Sequence, residues 1–295
     1  MTTIAVIGPG SVGCYAAAQL ADAGHDVWAC ARRPFDRYRI DSASHAVDRP
    51  AQVATDPSQI PDGWQPRFTL VCVKAHQTDS AAAWLTRLAP AGSTVVVVQN
   101  GTEGVARVAP LAPAAEVLAS VVYCGAELLA PGHVQHHGFG HLFMPDGPAA
   151  QELAAAGEGS GFTVRPDAAF VTELWRKLGS NITANGVTAL TGRRLEVLGE
   201  VQVHPLLRGL LQECYAVARA EGADLGDAQI DAFLSAVAGK APAGGSSMFY
   251  DRQAGRPTEH DAIYGALVRA GARHGIPTPL TEAVQILIAA GDPRP

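Results

Sequence analysis

Apolar positions along the chain fall into two textures. Up to about residue 165, short apolar runs alternate with helical stretches and are punctuated by glycine; beyond it, apolar residues recur every three to four positions, the spacing of helices. The run at 3–7 leads directly into Gly8-Pro9-Gly10-Ser11-Val12-Gly13, an Ala-rich stretch over 14–23 closed by Gly24, and a second apolar run at 26–31. That order predicts strand, Gly-rich turn, helix and strand. Runs at 68–73 and 94–98 predict further strands with a helix over 80–88 between them, and 117–123, 132–137 and 140–144 predict strands closing the sheet as hairpins. Such alternation predicts an α/β fold, a Rossmann-like doubly wound, mostly parallel sheet. Helices are expected over 170–190, 204–221, 227–237, 259–274 and 280–290, with 242–247 as a Gly/Ser-rich loop. The expected division is therefore residues 1–165 and an all-helical C-terminal domain over 166–295, with a cleft between them as a ligand site.

Composition narrows the class. The chain has 295 residues, 47% hydrophobic, so a sizeable core is possible without disulfides or metals. Charged residues are only 17%, and 31 Gly with 20 Pro exclude a coiled coil. A net charge of −6 without a Lys/Arg run argues against nucleic acid and acidic membrane surfaces as partners. No apolar stretch approaches the roughly 18 residues of a membrane span, and Met1 leads into a strand rather than a charged leader. A cytoplasmic protein is expected. The five cysteines are scattered without a CxxC, so reduced, buried thiols are expected rather than disulfides or a zinc site.

Lysine and asparagine are scarce. Of 22 basic residues only Lys74, Lys177 and Lys240 are lysine, and Asn100, Asn181 and Asn185 are the only asparagines. Arginine replaces lysine for surface charge but cannot release a proton near neutrality. The survivors should therefore be enriched where chemistry needs those side chains, with chance as the alternative.

In the GPGSVG turn, Gly8 would make the tight turn, Gly10 would let the backbone approach a pyrophosphate, and Gly13 would allow close helix–strand packing. The helix N-terminus would then supply free N–H groups and a positive dipole for the phosphates, with Ser11, Val12 and Gly13 among the cofactor-binding residues. An enzyme using NAD places Asp or Glu at the end of the second strand; here Arg32 and Arg33 stand there, with Asp36 close by. Guanidinium groups suit a 2′-phosphate, so NADP(H) is expected over NAD.

Lys74, in Val73-Lys74-Ala75-His76-Gln77-Thr78, and Asn100, in Gln99-Asn100-Gly101, stand at carboxyl ends of strands. There they would meet a cofactor or substrate, or simply make turns. Lys177, Asn181 and Asn185 recur at i, i+4 and i+8 and form one helical stripe. Such a stripe is either a solvated face or a site where amides orient the oxygens of a small oxo acid and a desolvated ammonium gives up a proton. Ser246 and Ser247 would offer hydroxyls to a carboxylate or cap a helix, and Glu259 would complement a helix dipole or join the site.

Together these motifs resemble the ketopantoate reductase (2-dehydropantoate 2-reductase) family over nearly the whole chain. The resemblance rests on GPGSVG, VKAHQT, QNG, the Pro131-Gly132 stretch with its histidines, WRKLGSNITAN, and SSMFYD followed by TEHD. It implies NADPH-dependent reduction of a branched 2-oxo acid, 2-dehydropantoate to (R)-pantoate in pantothenate and coenzyme A synthesis. Lys177 would be the general acid that protonates the carbonyl oxygen, and Glu259 would contact the substrate hydroxyl or cofactor ribose. Asn181, Asn185 and Ser247 would bind substrate, Asn100 would touch both ligands, Arg32, Lys74 and Gln77 would hold the adenosine end, and Ala126 would lie near the nicotinamide. Gly186 stands where the family often has Pro, and His260 and Tyr264 stand where an aliphatic residue and Asn are expected, on the substrate side. A paralogous reductase of another 2-oxo acid or imine, or a non-catalytic NADP-binding sensor, are the alternatives. A homodimer is compatible with the sequence but not required by it. His133, His136, His137 and His141 are expected to be scattered by a hairpin at Gly138 and Gly140 rather than to bind metal.

Overall fold

The computed structural model describes residues 1–239 and 244–293. It divides into two compact units: Met1–Gln99 with Glu103–Phe170, and Asn100–Thr102 with Val171 onward.

The first unit holds a six-stranded, all-parallel sheet in the order β5-β2-β1-β6-β7-β8. Its strands are β1 (Thr3–Ile7), β2 (Asp26–Cys30), β5 (Gln52–Ala54), β6 (Phe68–Val71), β7 (Thr94–Val97) and β8 (Glu116–Ala119). β6 and β7 are buried at every position, as strands covered on both faces must be, which is why they read as unbroken apolar runs. β1 shows the two faces directly: Ile4 and Val6 join a core with helix α1 (Ser11–Asp22), whereas Ala5 and Ile7 join a second core on the opposite face. Leu85 and Leu88 of α2 (Ala82–Leu88) and Val108 of α3 (Gly104–Val108) complete that second core.

A further sheet accounts for segments that the apolar pattern does not reveal. It runs β11-β10-β3-β4, with β9 pairing β10. Its members are β3 (Arg37–Asp41), β4 (Val47–Pro50), β9 (Val121–Ala130), β10 (His133–Pro145) and β11 (Thr163–Asp167); α4 (Pro148–Ala156) precedes β11. Tyr38, Ile40, Val134, Leu142 and Val164 from this sheet pack into the same core as α1.

Two expectations are corrected here. The run at 117–123 is not one strand: the chain breaks at Ser120, whose hydroxyl donates to the Val97 carbonyl at 2.8 Å, and β8 and β9 lie in different sheets. The runs at 132–137 and 140–144 are one strand with register shifts between His136 and His141, not a hairpin at Gly138 and Gly140. Gly140 serves a close approach instead, since a Cβ there would lie 2.2 Å from the Gly161 carbonyl oxygen. The turn lies at Pro131-Gly132, where Gly132 takes a φ of 79°.

The second unit is helical: α5 (Phe170–Thr191), α6 (His204–Ala220), α7 (Asp227–Gly239), α8 (Ser247–Gln253), α9 (Ala266–His274) and α10 (Pro279–Ala290). Its core gathers Trp175, Leu178 and Ile182 of α5 with Leu207, Leu211 and Cys214 of α6 and Ile288 of α10. The segment expected as one helix over 259–274 begins with a single π-helical turn, Asp261–Gly265, that runs into α9. Of the expected loop at 242–247, residues 242–243 lie outside the described residues, and Ser246 caps α8. No helix among the described residues is long and apolar enough to cross a membrane. All five cysteines are free thiols, and burial pushes those of Cys14, Cys72 and Cys124 up to about 12.

Candidate active site

In the first unit the Gly-rich turn divides its labour unevenly. Gly8 has a φ of 81°, and a Cβ there would lie 2.5 Å from Val73 Cγ1. A Cβ on Gly13 would lie 2.6 Å from the Gly8 carbonyl oxygen and 2.9 Å from Cys72 Cβ, so both glycines are demanded by packing. Gly10 differs: it is exposed, it N-caps α1 with an ordinary φ of −72°, and nothing lies within 4 Å of where its Cβ would be. The fold does not require that glycine, so the backbone there remains open to a ligand's close approach. The first turn of α1 carries no acidic residue and no capping side chain, leaving its N–H groups and positive dipole end uncompensated from within the helix. Ser11 and Val12 are half-buried in that turn. Arg32 and Arg33 follow the end of β2 and are exposed. This turn, together with the two guanidinium groups, suits a phosphorylated dinucleotide in its donor chemistry.

Lys74 opens a 3-10 segment, Ala75–Ala81, that also carries Gln77. Gln99, buried at the end of β7, ties the neighbouring strand ends together by donating to the Val73 carbonyl at 3.1 Å and to Thr78 Oγ1 at 3.0 Å. Ala126 lies half-buried on β9 opposite His136. The histidines are dispersed along β10. His133 meets Asp41 at 2.7 Å, His136 meets Ser42 at 3.0 Å and stacks on Tyr15, and His137 lies 3.6 Å from Glu127. Among the described residues no His, Cys, Asp or Glu cluster is arranged to hold a metal.

The second unit brings together residues far apart in sequence. Asn100 Nδ2 donates to Glu259 Oε2 at 3.1 Å, and Asn181 Nδ2 donates to Asn100 Oδ1 at 3.2 Å. Glu259 is only 5% exposed. Asn100 is placed by Gly101, whose φ of 92° and missing Cβ admit the Ala262 carbonyl; a Cβ there would sit 2.1 Å from that oxygen. Asn181 is flanked on α5 by Lys177 and Asn185, one turn to either side. Asn185 is 2% exposed, and its Nδ2 has no hydrogen-bond partner among the described residues. A buried amide donor left in that state costs about 1–3 kcal/mol unless a ligand oxygen meets it.

Lys177 is half-buried, and loss of hydration lowers its ammonium from 10.5 to about 8, a fall opposed by the Glu173 carboxylate. Glu173 extends the stripe one turn toward the start of α5; it is buried and bonded to Arg176. Sequence reading passed over Glu173, although a Glu four residues before a Lys on one helix is a recognisable pairing signal. Ser246 is absorbed by structure: its hydroxyl accepts from the Phe249 N–H at 3.1 Å and lies 2.7 Å from Thr188 Oγ1. Ser247 is exposed at the first position of α8.

The expectation that Tyr264 faces substrate is corrected. Its side chain is fully buried and its hydroxyl donates to the Ile182 carbonyl at 2.5 Å. A Cβ on Gly186 would lie 2.3 Å from that hydroxyl. Two of the three departures from the family pattern, Gly186 and Tyr264, are therefore one packing arrangement, a large ring using space that glycine leaves.

Comparison with known proteins gives a consistent result over the whole length. A sequence model described as ketopantoate reductase PanE/ApbA matches residues 4–149, and its C-terminal counterpart matches residues 169–291. The chain is 39% identical to a 2-dehydropantoate 2-reductase of Mycobacterium tuberculosis over 296 residues, covering 100% of this chain and 99% of the other. It is 37% identical to the enzyme of that name from Caulobacter vibrioides, covering 98% and 99%. A crystal structure of a PanE/ApbA family ketopantoate reductase from Ralstonia eutropha JMP134 superposes with a TM-score of 0.87 at 33% identity, covering 98% of this chain and 97% of that one.

Proposed function

The chain belongs to the ketopantoate reductase family, and from that membership and the side chains of its helical unit we propose that it reduces a branched 2-oxo acid with NADPH. 2-Dehydropantoate, giving (R)-pantoate for pantothenate and coenzyme A synthesis in the cytoplasm, is the substrate favoured by the named relatives. The observation that carries this reading is the stripe on α5: a lysine lowered to about 8 beside an amide pair and a buried amide donor in need of an acceptor.

The chemistry follows from those groups. A 2-oxo acid gains two electrons and two protons in becoming a 2-hydroxy acid, of which a reduced nicotinamide, when bound, would supply the hydride. Lys177 supplies the remaining proton from Nζ to the carbonyl oxygen. Because its ammonium is acidified by burial, that transfer is closer to thermoneutral than it would be from an ordinary lysine. Asn185 Nδ2 and Ser247 donate to substrate oxygens, while Asn181 and Asn100 hold their amides at fixed orientation through their mutual bond. Glu259, fixed by Asn100, accepts from the substrate hydroxyl or a cofactor ribose. Gly8, Gly10, Ser11, Val12 and Gly13 form the phosphate turn, Arg32 selects the 2′-phosphate, Lys74 and Gln77 hold the adenosine end, and Ala126 lines the nicotinamide side. The first unit would thus serve the cofactor and the second the substrate.

Loss of NADPH absorbance with 2-dehydropantoate, beside 2-ketoisovalerate and pyruvate and repeated with NADH, tests the proposal. Turnover confined to NADPH and 2-dehydropantoate is expected. Turnover of Lys177→Ala is expected to fall about 10²–10⁴-fold with NADPH binding retained; wild-type turnover in that variant would remove Lys177 as the acid. NADPH binding without turnover of any oxo acid would point to a sensor instead.

A further inference from the structure

Glu259 stands between two residues gripped by the far end of the chain. Thr258 donates its main-chain N–H, at 3.0 Å, and its hydroxyl, at 2.9 Å, to the same oxygen of Asp292, Oδ2. That oxygen also lies 3.3 Å from Nδ1 of His260. Asp292 follows the last turn of α10 by two residues, and its side chain is only 12% exposed. Its other oxygen lies 3.7 Å from Nη1 of Arg252, which donates from the same nitrogen to the Ile288 carbonyl at 2.9 Å. Gly291 makes room for this arrangement, because a Cβ there would lie 1.7 Å from Nη2 of Arg252. One carboxylate therefore bonds the residue immediately before Glu259 twice and lies against the one immediately after it, while Arg252 on α8 stands within ion-pair reach of its other oxygen, which has no hydrogen-bond partner among the described residues.

An ordinary helix cap would bond to one turn's N–H and would not select the neighbours of a buried carboxylate. Here the grip falls on both sides of Glu259, and Glu259 in turn meets Asn100. We propose that Asp292 is a positioning residue: by clamping Thr258 and His260 it sets the backbone from which Glu259 reaches Asn100. The proposal rests on the reading of Glu259 as part of the reductase site. Without the clamp the backbone at 258–260 is free to drift, and misplacing a site group by about 1 Å is worth up to about 10²-fold in rate.

A double-mutant cycle on kcat/KM for the oxo acid separates this from general stabilisation. Asp292→Ala is expected to lose about 10–100-fold in kcat/KM, with NADPH affinity within about two-fold of wild type. Asp292→Asn keeps an acceptor oxygen for Thr258 and is expected to recover most of that loss. On a Glu259→Gln background, Asp292→Ala is expected to add less than about two-fold, since its effect passes through Glu259. If it costs the same factor on both backgrounds, the clamp is merely structural and the proposal falls. If Glu259→Gln alone retains wild-type kcat/KM, the reading of Glu259 fails and takes the proposal with it, a visibly different result. Should Asp292→Ala not fold, Thr258→Val removes only the hydroxyl bond and must show the same non-additivity at smaller amplitude.

Discussion

Burial lowers the ammonium of Lys177 from 10.5 to about 8, and with Lys177 as the proposed acid that difference fixes where activity should fail as pH rises. A general acid must be protonated, so kcat/KM falls about tenfold per pH unit above its pKa. With a pKa of about 8, about 1% of the acid form remains at pH 10; with the ordinary value of 10.5, about three-quarters would remain. The assay is the initial rate of NADPH oxidation at low oxo acid from about pH 6 to about pH 11, reporting the free enzyme's groups. Glu173 opposes the effect of burial, so Glu173→Gln should move the basic limb to lower pH. A coupling of about 1 kcal/mol, between that of an exposed helix pair and a desolvated one, corresponds to about 0.7 pH unit. Lys177→Arg keeps the cation but cannot deprotonate in this range, so its residual rate should lack the limb. A wild-type limb above pH 10, or an upward shift in Glu173→Gln, would refute the reasoning.

The two outer glycines of the Gly-rich turn and its middle one should separate stability from binding. Gly13→Ala forces a Cβ to 2.6 Å from a carbonyl oxygen and should cost about 1–3 kcal/mol in urea unfolding. Gly10→Ala meets no protein atom within 4 Å, so its Tm should stay within about 2 °C of wild type while NADPH affinity by fluorescence titration drops at least about tenfold. With Arg32 in its proposed role on the 2′-phosphate, Arg32→Ala should raise KM for NADPH about 10–100-fold and leave KM for NADH within about two-fold; parallel rises would mean that Arg32 does not select the cofactor. Tyr264→Phe should destabilise by about 1–2 kcal/mol through the lost bond to Ile182, and Gly186→Ala by about 1–3 kcal/mol through collision with the Tyr264 hydroxyl. Thermal melts of the double variant should show less than the sum, as touching residues do.

What the sequence revealed followed from burial on both faces or from helical periodicity. β6 and β7 are continuous apolar runs because both their faces are covered, and α5 is a long stretch whose stripe of Lys177, Asn181 and Asn185 is legible at spacing alone. β3 and β11 of the second sheet were not legible for the opposite reason. β3 alternates exposed arginines with buried Tyr38 and Ile40, and β11 contains a proline, so neither carries an apolar run. The bulged β10 read as two strands because Gly138 and Gly140 look like turn residues, whereas Gly140 answers to the nearby Gly161 carbonyl. Tyr264 and Gly186 looked like two unrelated departures. Only a three-dimensional contact, 78 residues apart in sequence, makes them one.

The scarcity of asparagine acquires a physical reason at Asn100. Its amide must donate to a carboxylate, Glu259, and accept from an amide, Asn181. Aspartate could accept from Asn181 but would set a second negative charge against Glu259. Lysine or arginine could meet Glu259 but offer no acceptor to Asn181 Nδ2. Glutamine has the right atoms on a longer stem, but its position is fixed by Gly101, which lies against the Ala262 carbonyl. Asn100 and the two residues after it group with the helical unit. Asn181 and Asn185 are constrained in a related way, one by its bond to Asn100 and the other by a buried amide donor for which the described protein residues provide no acceptor. Of the three asparagines in the chain, Asn100 thus uses both its donor and its acceptor, whereas Asn181 uses its donor and Asn185 presents one.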